Sequence, residues 1–593
     1  MALKVLPTTK DELKKIGWEW VDIILFSGDA YIDHPSFAMG ILGRVLENQG
    51  YRVAVVPQPN WRDDLRDFKK LGKPRLFFSV SAGAMDSMVN HYTAFKRLRS
   101  DDSYSPNGQS SLRPDYAVSV YSKILKSLYP DVPVVIGGIE ASLRRFTHYD
   151  YWQDKLLPTI LKESGADYLT YGMGEKSMVQ MAKFVESKLS NGANCSAALS
   201  YNLSLEEKLE LKQVAFLDSK RIDTDAHLSE KYHNKVILNS FEKCLKDKIC
   251  FIQNFNEIEL EANKMVAKLI IEPVGDEYLY VNPPFKPLST KELDKIYALP
   301  YSFLPHPRYK GKRIPAFDMI KNSITIHRGC FGGCSFCTIA AHQGKFIQSR
   351  SSQSIINEIK ELAQLPHFKG NISDVGGPSA NMYKMRGKNE EICNRCIRKS
   401  CIYPSICKNL NISHKELLNL YKEIDSLKEV RHSYIGSGVR YDLLLDENGF
   451  LNDQAKEYFQ ELIRKHISGR FKVAPEHTED KVLKLMNKPS FKLFVRMKME
   501  FDKINRKYTL NEQVIPYFIS SHPGCRLSDM KNLAKHPSLK GVLTEQVQSI
   551  TPTPMTRTSI MYYTGLDPQT FKPIFVEKSV EKQREQKSFF FKK

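Results

Sequence analysis

No stretch of this chain approaches the roughly 20 consecutive apolar residues that a membrane-spanning helix needs, so no membrane partner is expected. The opening residues, MALKVLPTTKDELKK, lack the apolar core of a secretion signal and carry charge throughout, which fits neither a leader nor a clear transit peptide. A cytoplasmic location is the expectation that follows. In that reducing compartment a disulfide framework is a poor account of the eleven cysteines. A further absence is local. The stretch RGCFGGCSFC places Cys330, Cys334 and Cys337 together, and no fourth cysteine follows until Cys393. Three thiolates fall one short of the four that close a tetrahedral site, and an open metal position marks a reacting rather than a structural centre.

What is present is ample for several cores. At 593 residues and 42% hydrophobic, the chain can build two or three packed domains, because single cores rarely grow past about 250–300 residues. The formal charge of +20 suits phosphate-rich partners or anionic cofactors, with nucleic acid among them, although a solvated lysine-rich surface gives the same excess. Seven of the eleven cysteines fall between Cys330 and Cys407, which turns the argument towards metal.

Apolar runs ending in glycine or polar turns recur through residues 1–215, at 21–29, within 37–59, and at 75–82, 132–142 and 166–178, with amphipathic helical patterns between them, including one at 113–130. This predicts an open, mostly parallel α/β sheet whose ligands sit at the carboxyl ends of the strands. Residues 216–300 are mixed and charged, with a helical stretch at 257–272 and a proline-containing segment at 278–289, and read as a bridge between domains. Strand patterns return at 322–330, 372–380, 431–444, 469–480, 513–524 and 545–554, with helical patterns such as 352–364 and 455–466 between them. Six βα units predict a partial (βα)6 barrel over 301–566, with its chemistry on the carboxyl rim. The charged tail, 567–593, is expected to fray.

The three cysteines follow the first of these barrel strands. Thiolates hold iron–sulfur clusters, and a four-iron cluster on three cysteines keeps one iron open. Gly332 and Gly333 suit a loop that wraps a bulky group. A zinc site completed by His327 or His342 is the structural alternative. For the pair Gly376 and Gly377 it is a plain turn, and for Glu476 and His477 a polar rim pair in place of a proton relay.

C-x3-C-x2-C with Phe336 before the last cysteine, placed after the first strand of a βα barrel, resembles the radical S-adenosylmethionine superfamily. The resemblance implies a [4Fe-4S] cluster on Cys330, Cys334 and Cys337, S-adenosylmethionine chelated at the open iron, and reductive cleavage to a 5′-deoxyadenosyl radical. Gly376 and Gly377 correspond to the glycine-rich motif that holds the methionine amino group, without the frequent following Glu. The stretch GSGVR, with Ser437 and Arg440, resembles the ribose- and carboxylate-binding motif, and residues 547–565 resemble the last strand and its loop. The full run, including LPYSFLPHPRYKGKRIPAF and KVAPEHTED, is similar to the YgiQ family of radical SAM proteins. The family implies an unidentified substrate and a reductant such as flavodoxin or ferredoxin. RNA methylthiotransfer or methylation is the rival enzyme activity, although no small RNA-binding β-barrel is expected after residue 566. A non-catalytic zinc- and nucleic-acid-binding protein is the rival of another class.

Two features stand outside that core. Cys393, Cys396, Cys401 and Cys407 form a complete four-thiolate set at C-x2-C-x4-C-x5-C within a knuckle, 393–407, which structural zinc or an auxiliary cluster would satisfy, the structural metal being the expectation because no coordination site is left open for substrate. Around it, Lys384, Arg386, Lys388, Arg395, Arg398, Lys399 and Lys408 outweigh Glu390 and Glu391. The amino-terminal domain, with Asp33-His34-Pro35 after its first strand, resembles the cobalamin-binding Rossmann-like domains that precede some radical SAM barrels. The ligand signature is incomplete, with Phe37 where glycine belongs, so cobalamin is expected to bind weakly at most and His34 is not expected to reach cobalt.

Overall fold

The computed structural model describes residues 5–189, 203–446, 448–544 and 546–591. They fall into two compact units. The first comprises residues 1–262, 266–286 and 299–321, and the second 263–265, 287–298 and 322–593.

In the first unit the strands β1 (Ile23–Ser27), β2 (Val53–Pro57), β3 (Phe77–Ser81), β4 (Val134–Gly137) and β5 (Tyr168–Thr170) pair in parallel in the order β2-β1-β3-β4-β5. Ile23 pairs with both Val53 and Phe77. Every residue of β1, β2 and β3 is buried, as expected of parallel strands covered on both faces, which therefore read as unbroken apolar runs. Helices α1 (Ala38–Glu47) and α2 (Ala117–Leu128) lie where their amphipathic patterns predict.

The expected bridge is not one. Strands β6 (Val214–Asp218), β7 (Val236–Ile237), β8 (Ile270–Val274) and β9 (Glu277–Val281) extend this sheet to nine strands among the described residues, in the order β7-β8-β9-β6-β5-β4-β3-β1-β2. The helical pattern at 257–272 splits, because the helix Lys248–Ala262 ends there and the β-branched pair Ile270-Ile271 enters a hairpin with Tyr280 and Val281. Asp218, Glu272 and Glu277 stand within these strands, and they masked the short apolar runs around them.

The order β2-β1-β3-β4-β5 reverses direction between β1 and β3, the point at which such sheets leave a crevice for ligands. Here the chain crosses that crevice itself. Arg113, fully buried, places Nη2 2.8 Å from Asp29 Oδ1 and 2.9 Å from Asp102 Oδ2, and Nη1 donates to the Ala82 carbonyl at 2.8 Å. Burial pushes the Asp29 carboxyl up to about 6 against the pull of Arg113. His34 is buried, its Nδ1 accepting the Ser36 N–H at 3.0 Å and its ring edge-on to Phe37 and Phe303.

The second unit shows six strand segments in parallel succession, namely β10 (Ser323–Thr325), β11 (Asn371–Ile372) with β12 (Asp374–Gly376), β13 (His432–Ser433), β14 (Arg470–Glu476), β15 (Gln513–Ser520) and β16 (Val547–Ser549). β10 pairs with β12, β11 with β13, and β14 with β15 and β15 with β16, while a Val439–Val473 bridge links the middle. This is the parallel α/β arrangement anticipated, with its last strand shorter than expected and Glu545 outside the described residues. Helices α3 (Ser352–Leu362), α4 (Lys415–Asp425), α5 (Asp453–Lys465) and α6 (Phe491–Lys507) bury Ile359, Tyr421, Tyr458 and Phe494 in a common core.

The tail does not fray where it is described. Residues 580–588 form a helix, α7 (Val580–Ser588), whose Gln586 Oε1 accepts the buried Ser521 N–H at 2.9 Å, and Phe589 and Phe590 pack against the core. Buried glutamines with specific partners anchor what composition alone marks as loose. Lys592 and Lys593 lie outside the described residues.

Removing one partner of a buried ion pair costs about 3–5 kcal/mol. Arg113→Ala, which strands both Asp29 and Asp102, is therefore expected to lower the urea midpoint of the first unit, as read by circular dichroism. A midpoint equal to that of the wild type would show that the network contributes nothing.

Candidate functional site

The cysteine loop of the second unit is held from several directions. Ser335 N–H donates to the Met486 carbonyl at 3.0 Å, and Thr558 N–H donates to the Ser335 carbonyl at 2.9 Å. Asn487 Nδ2 donates to the Gly333 carbonyl at 3.0 Å and Ser400 Oγ to the Gly332 carbonyl at 2.8 Å. Gly333 has a φ of +63° and packs so tightly that a Cβ would stand 2.8 Å from Ser400 Cβ, so both conformation and space require glycine there.

Cys330 is buried, and Cys334 and Cys337 are half-buried. The Gly332 N–H points at Cys330 Sγ at 3.4 Å, Ser379 Oγ stands 3.6 Å from the same sulfur, and Arg440 Nη1 donates to Cys334 Sγ at 3.3 Å. Burial pushes the Cys330 thiol up, and pushes Cys337 to about 12 with the neighbouring Cys334 and Cys330 sulfurs adding to the rise. Three thiols on one loop, with the Gly332 N–H aimed at Cys330 and the Arg440 guanidinium at Cys334, form a donor set suited to a soft, electron-rich metal cluster.

Among the described residues no three His, Cys, Asp or Glu side chains are gathered as they would be around a single metal ion. One tetrahedral zinc would draw its thiolates to about 3.8 Å apart, from Zn–S bonds of roughly 2.3 Å. A four-iron cluster spreads them, because each thiolate binds a different iron. Neither His327 nor His342 stands with the three thiols as such a single-ion group among the described residues. His327 is instead fully buried against Gly377, whose Cβ would stand 2.6 Å from His327 Cε1, and burial pushes its imidazole down to about 4.

The other residues singled out in the sequence converge on this loop in part. Arg440 reaches it directly. Its guanidinium also pairs with Asp442, Nε to Oδ1 at 2.9 Å and Nη2 to Oδ2 at 2.5 Å, with side chains 11% and 9% exposed. Gly376 and Ser437 are brought together by Asp374, a residue that sequence reasoning did not single out. Its Oδ1 accepts the Gly436 and Ser437 N–H groups at 2.9 and 3.1 Å, and its Oδ2 accepts the Ser437 hydroxyl. A Cβ on Gly376 would stand 2.8 Å from Ser437 Oγ. Phe336 meets His522 edge-on at 6.3 Å. His522, also missed, is pushed down to about 4 by burial and is bound to Thr558 Oγ1 at 2.8 Å and Ser335 Oγ at 3.3 Å. The signal for it lay in SSHPGC, at the end of a strand pattern.

Glu476 and His477 separate in role. Glu476, buried, has a φ of +67° at an irregularity in the β14–β15 ladder and sits 3.5 Å from Lys488 Nζ. A left-handed non-glycine residue costs on the order of 1–3 kcal/mol and turns up where a strand must re-aim a side chain. His477 Nδ1 accepts the Thr478 and Glu479 N–H groups, both at 3.0 Å, a turn-capping contact.

Comparison with known proteins gives the geometry its family. A family model described as Radical SAM N-terminal matches residues 5–323. A UPF0313 protein of Bacteroides thetaiotaomicron is 54% identical over 99% of this chain and 93% of its own length. The UPF0313 protein YgiQ of Escherichia coli K12 is 42% identical over 95% of this chain and 80% of its own. The chain belongs to the UPF0313 (YgiQ) family of radical SAM proteins. The family implies a [4Fe-4S] cluster and S-adenosylmethionine, and the three thiols described above fit the first. Among the described residues no helix is long and apolar enough to cross a membrane. Among solved structures, the radical SAM methyltransferase TsrM of Kitasatospora setae, with cobalamin and a [4Fe-4S] cluster bound, aligns at a TM-score of 0.47 and 12% identity over 90% of this chain and 74% of that one. The cobalamin-dependent radical SAM enzyme OxsB with aqua-cobalamin bound aligns at 0.46 and 9%, over 94% and 57%. Likenesses this distant lend no support to the expectation against cobalamin, which is not carried further.

Arg440→Met is expected to strand the Asp442 carboxylate at a cost of about 3–5 kcal/mol, and Arg440→Met with Asp442→Leu to recover much of it. A double-mutant cycle on thermal midpoints in which the two effects simply add would show that the pair is not coupled.

Proposed function

We propose that the chain cleaves S-adenosylmethionine reductively and directs the 5′-deoxyadenosyl radical to hydrogen abstraction from a substrate. The observation that carries this reading is the contact between Arg440, from the cofactor-like stretch GSGVR, and Cys334, from the cysteine loop, which joins two motifs 106 positions apart into one site. Cys330, Cys334 and Cys337 would hold the cluster. When bound, it supplies one electron to the sulfonium, yielding methionine and the 5′-deoxyadenosyl radical, and an external one-electron carrier such as flavodoxin or ferredoxin restores it.

The chain's own residues position and shield. Gly376 and Gly377 lack side chains where neighbours fill the space, Ser437 and Asp374 against the first and His327 against the second, so this rim backbone is held tightly beside the 436–437 stretch. Asp374 fixes the Ser437 hydroxyl and the two N–H groups beside it, so that stretch is set before any cofactor arrives. Arg440 places fixed positive charge at the thiol loop, favouring thiolates and an anionic carboxylate beside them. Phe336 is assigned a packing contact with the cofactor. Glu476 and Lys488, buried within reach of Arg440, complete a polar floor.

Anaerobic reconstitution with iron and sulfide, followed by a 5′-deoxyadenosine assay under dithionite, tests the reading. Cys334→Ala is expected to abolish both the cluster chromophore and cofactor cleavage while leaving the fold largely intact. Cleavage at the wild-type rate by this variant would sink the assignment of the triad.

Asp374→Ala removes three hydrogen bonds from the 436–437 stretch. With about 1.5–3 kcal/mol for a bond to a charged group and partial compensation by water, binding of S-adenosylmethionine is expected to weaken on the order of 10- to 100-fold. Iron content should stay the same. Equilibrium dialysis showing unchanged affinity would remove Asp374 from the cofactor site.

A further inference from the structure

The segment carrying Cys393, Cys396, Cys401 and Cys407 has little of the usual means of staying folded. Between the residue pair Gly387 and Leu410, which form an isolated bridge, its regular structure among the described residues is one five-residue helix, Glu390–Asn394. Loops longer than about 12–15 residues without structure of their own are either disordered or held for a purpose. This one is held. Its four thiols are reduced and half-buried. Cys393 lies within electrostatic reach of Cys396 and Cys407, and Cys401 within reach of all three.

The groups around the sulfurs are donors. Asn409 Nδ2 points at Cys393 Sγ at 3.4 Å, and the Arg398 N–H points at Cys396 Sγ at 3.4 Å. Lys345, only 2% exposed, brings Nζ to 3.9 Å from Cys396 Sγ and donates to the Arg398 carbonyl. No carboxylate among the described residues pairs with this buried ammonium. A buried charge persists only where an opposite charge meets it, and the four sulfurs are the groups placed to supply it once they are thiolates on a metal.

The segment also packs on the first cysteine loop. Cys401 N–H donates to the Phe331 carbonyl at 3.1 Å, and Ser400 Oγ contacts the Phe331 and Gly332 carbonyls at 3.2 and 2.8 Å. Cys330, Phe331, Ile402 and Leu410 share a small core, against which Cys401 and Cys407 pack.

From these contacts we propose that Cys393, Cys396, Cys401 and Cys407 hold a second iron–sulfur cluster, with Lys345 as its buried counter-charge and Cys401 as the ligand nearest the first cysteine loop. The site is closed by four thiolates, so it has no position left for S-adenosylmethionine. It does not depend on the reading of the triad.

The test is metal and acid-labile sulfide analysis of the anaerobically reconstituted full chain, with electron paramagnetic resonance after reduction. About eight irons per chain are expected, falling to about four both in Cys393→Ala with Cys396→Ala and in Cys330→Ala with Cys334→Ala and Cys337→Ala. The signal left in the first variant should shift on addition of S-adenosylmethionine and that in the second should not. Where the first variant does not fold, the second decides alone, since retained iron supports the site and its complete loss in a folded protein overturns it. About one zinc per chain beside four irons, or four irons and no second metal, also overturns it. Loss of cofactor cleavage with eight irons present would refute the proposed activity and leave this site standing.

Discussion

A guanidinium that is nearly out of water has to be answered by negative charge, and the cysteine loop of the second unit is tied to that requirement at Arg440. Asp442 answers it with two hydrogen bonds, yet one nitrogen remains and is turned onto Cys334. The pair is thereby committed. Rotating Arg440 away to relax the loop would leave Asp442 alone in a low-dielectric setting, which costs more than the contact with sulfur gains. The cysteine loop therefore inherits rigidity from a salt bridge that is not itself part of the loop. The same logic recurs at Asp374, where one carboxylate gathers the ends of two neighbouring strands by accepting from Gly436 and Ser437.

Backbone pairing divides the barrel unevenly. β14 and β15 form a ladder running from Arg470 and Gln513 to Glu476 and Phe518, whereas β10 with β12 and β11 with β13 pair over three residues and two. Ladder hydrogen bonds give a strand pair its local stability, so the half that bears the cysteines has fewer of them and leans on side-chain links. Ser400, Asn487, Thr558 and Asp374 supply those links. Such an arrangement leaves short strands free to end in glycine and cysteine at the rim, where a long regular ladder would have fixed every backbone group in the sheet.

Legibility in the sequence followed the same division. The five parallel strands of the first unit could be read because burial on both faces demands unbroken apolar runs, and VDIILFSGD or VPVVIGGIE have no other reading at that length. The strands at 214–218, 270–274 and 277–281 were hidden, since Glu272 and Glu277 interrupt the runs and Pro273 counts against a strand, although an edge-side hairpin tolerates both. The tail misled for a related reason, in that Gln583 and Gln586 look solvated in a list of residues and are buried by particular hydrogen bonds. Within the site, the triad was legible because cysteine is rare and its spacing is chemical. Asp374, Asp442, His522 and Lys345 were not. Carboxylates and lysines occur everywhere along this chain, and only the fold shows which of them are denied water.

Denial of water is also what connects the two cysteine groups. A half-buried thiol is costly to ionise, and burial dominates the upward shifts at Cys330, Cys337, Cys393 and Cys401 alike. Ligation by thiolate releases protons as the metal binds, which couples the order of each loop to its occupancy. The cations are placed to favour that event at both ends, Arg440 beside Cys334 and Lys345 beside Cys396. Because Ser400 and Cys401 bond directly to Phe331 and Gly332, order gained in one loop restricts the backbone of the other. The two segments thus restrain one another locally through three hydrogen bonds to the Phe331 and Gly332 carbonyls, while each keeps its own set of thiols.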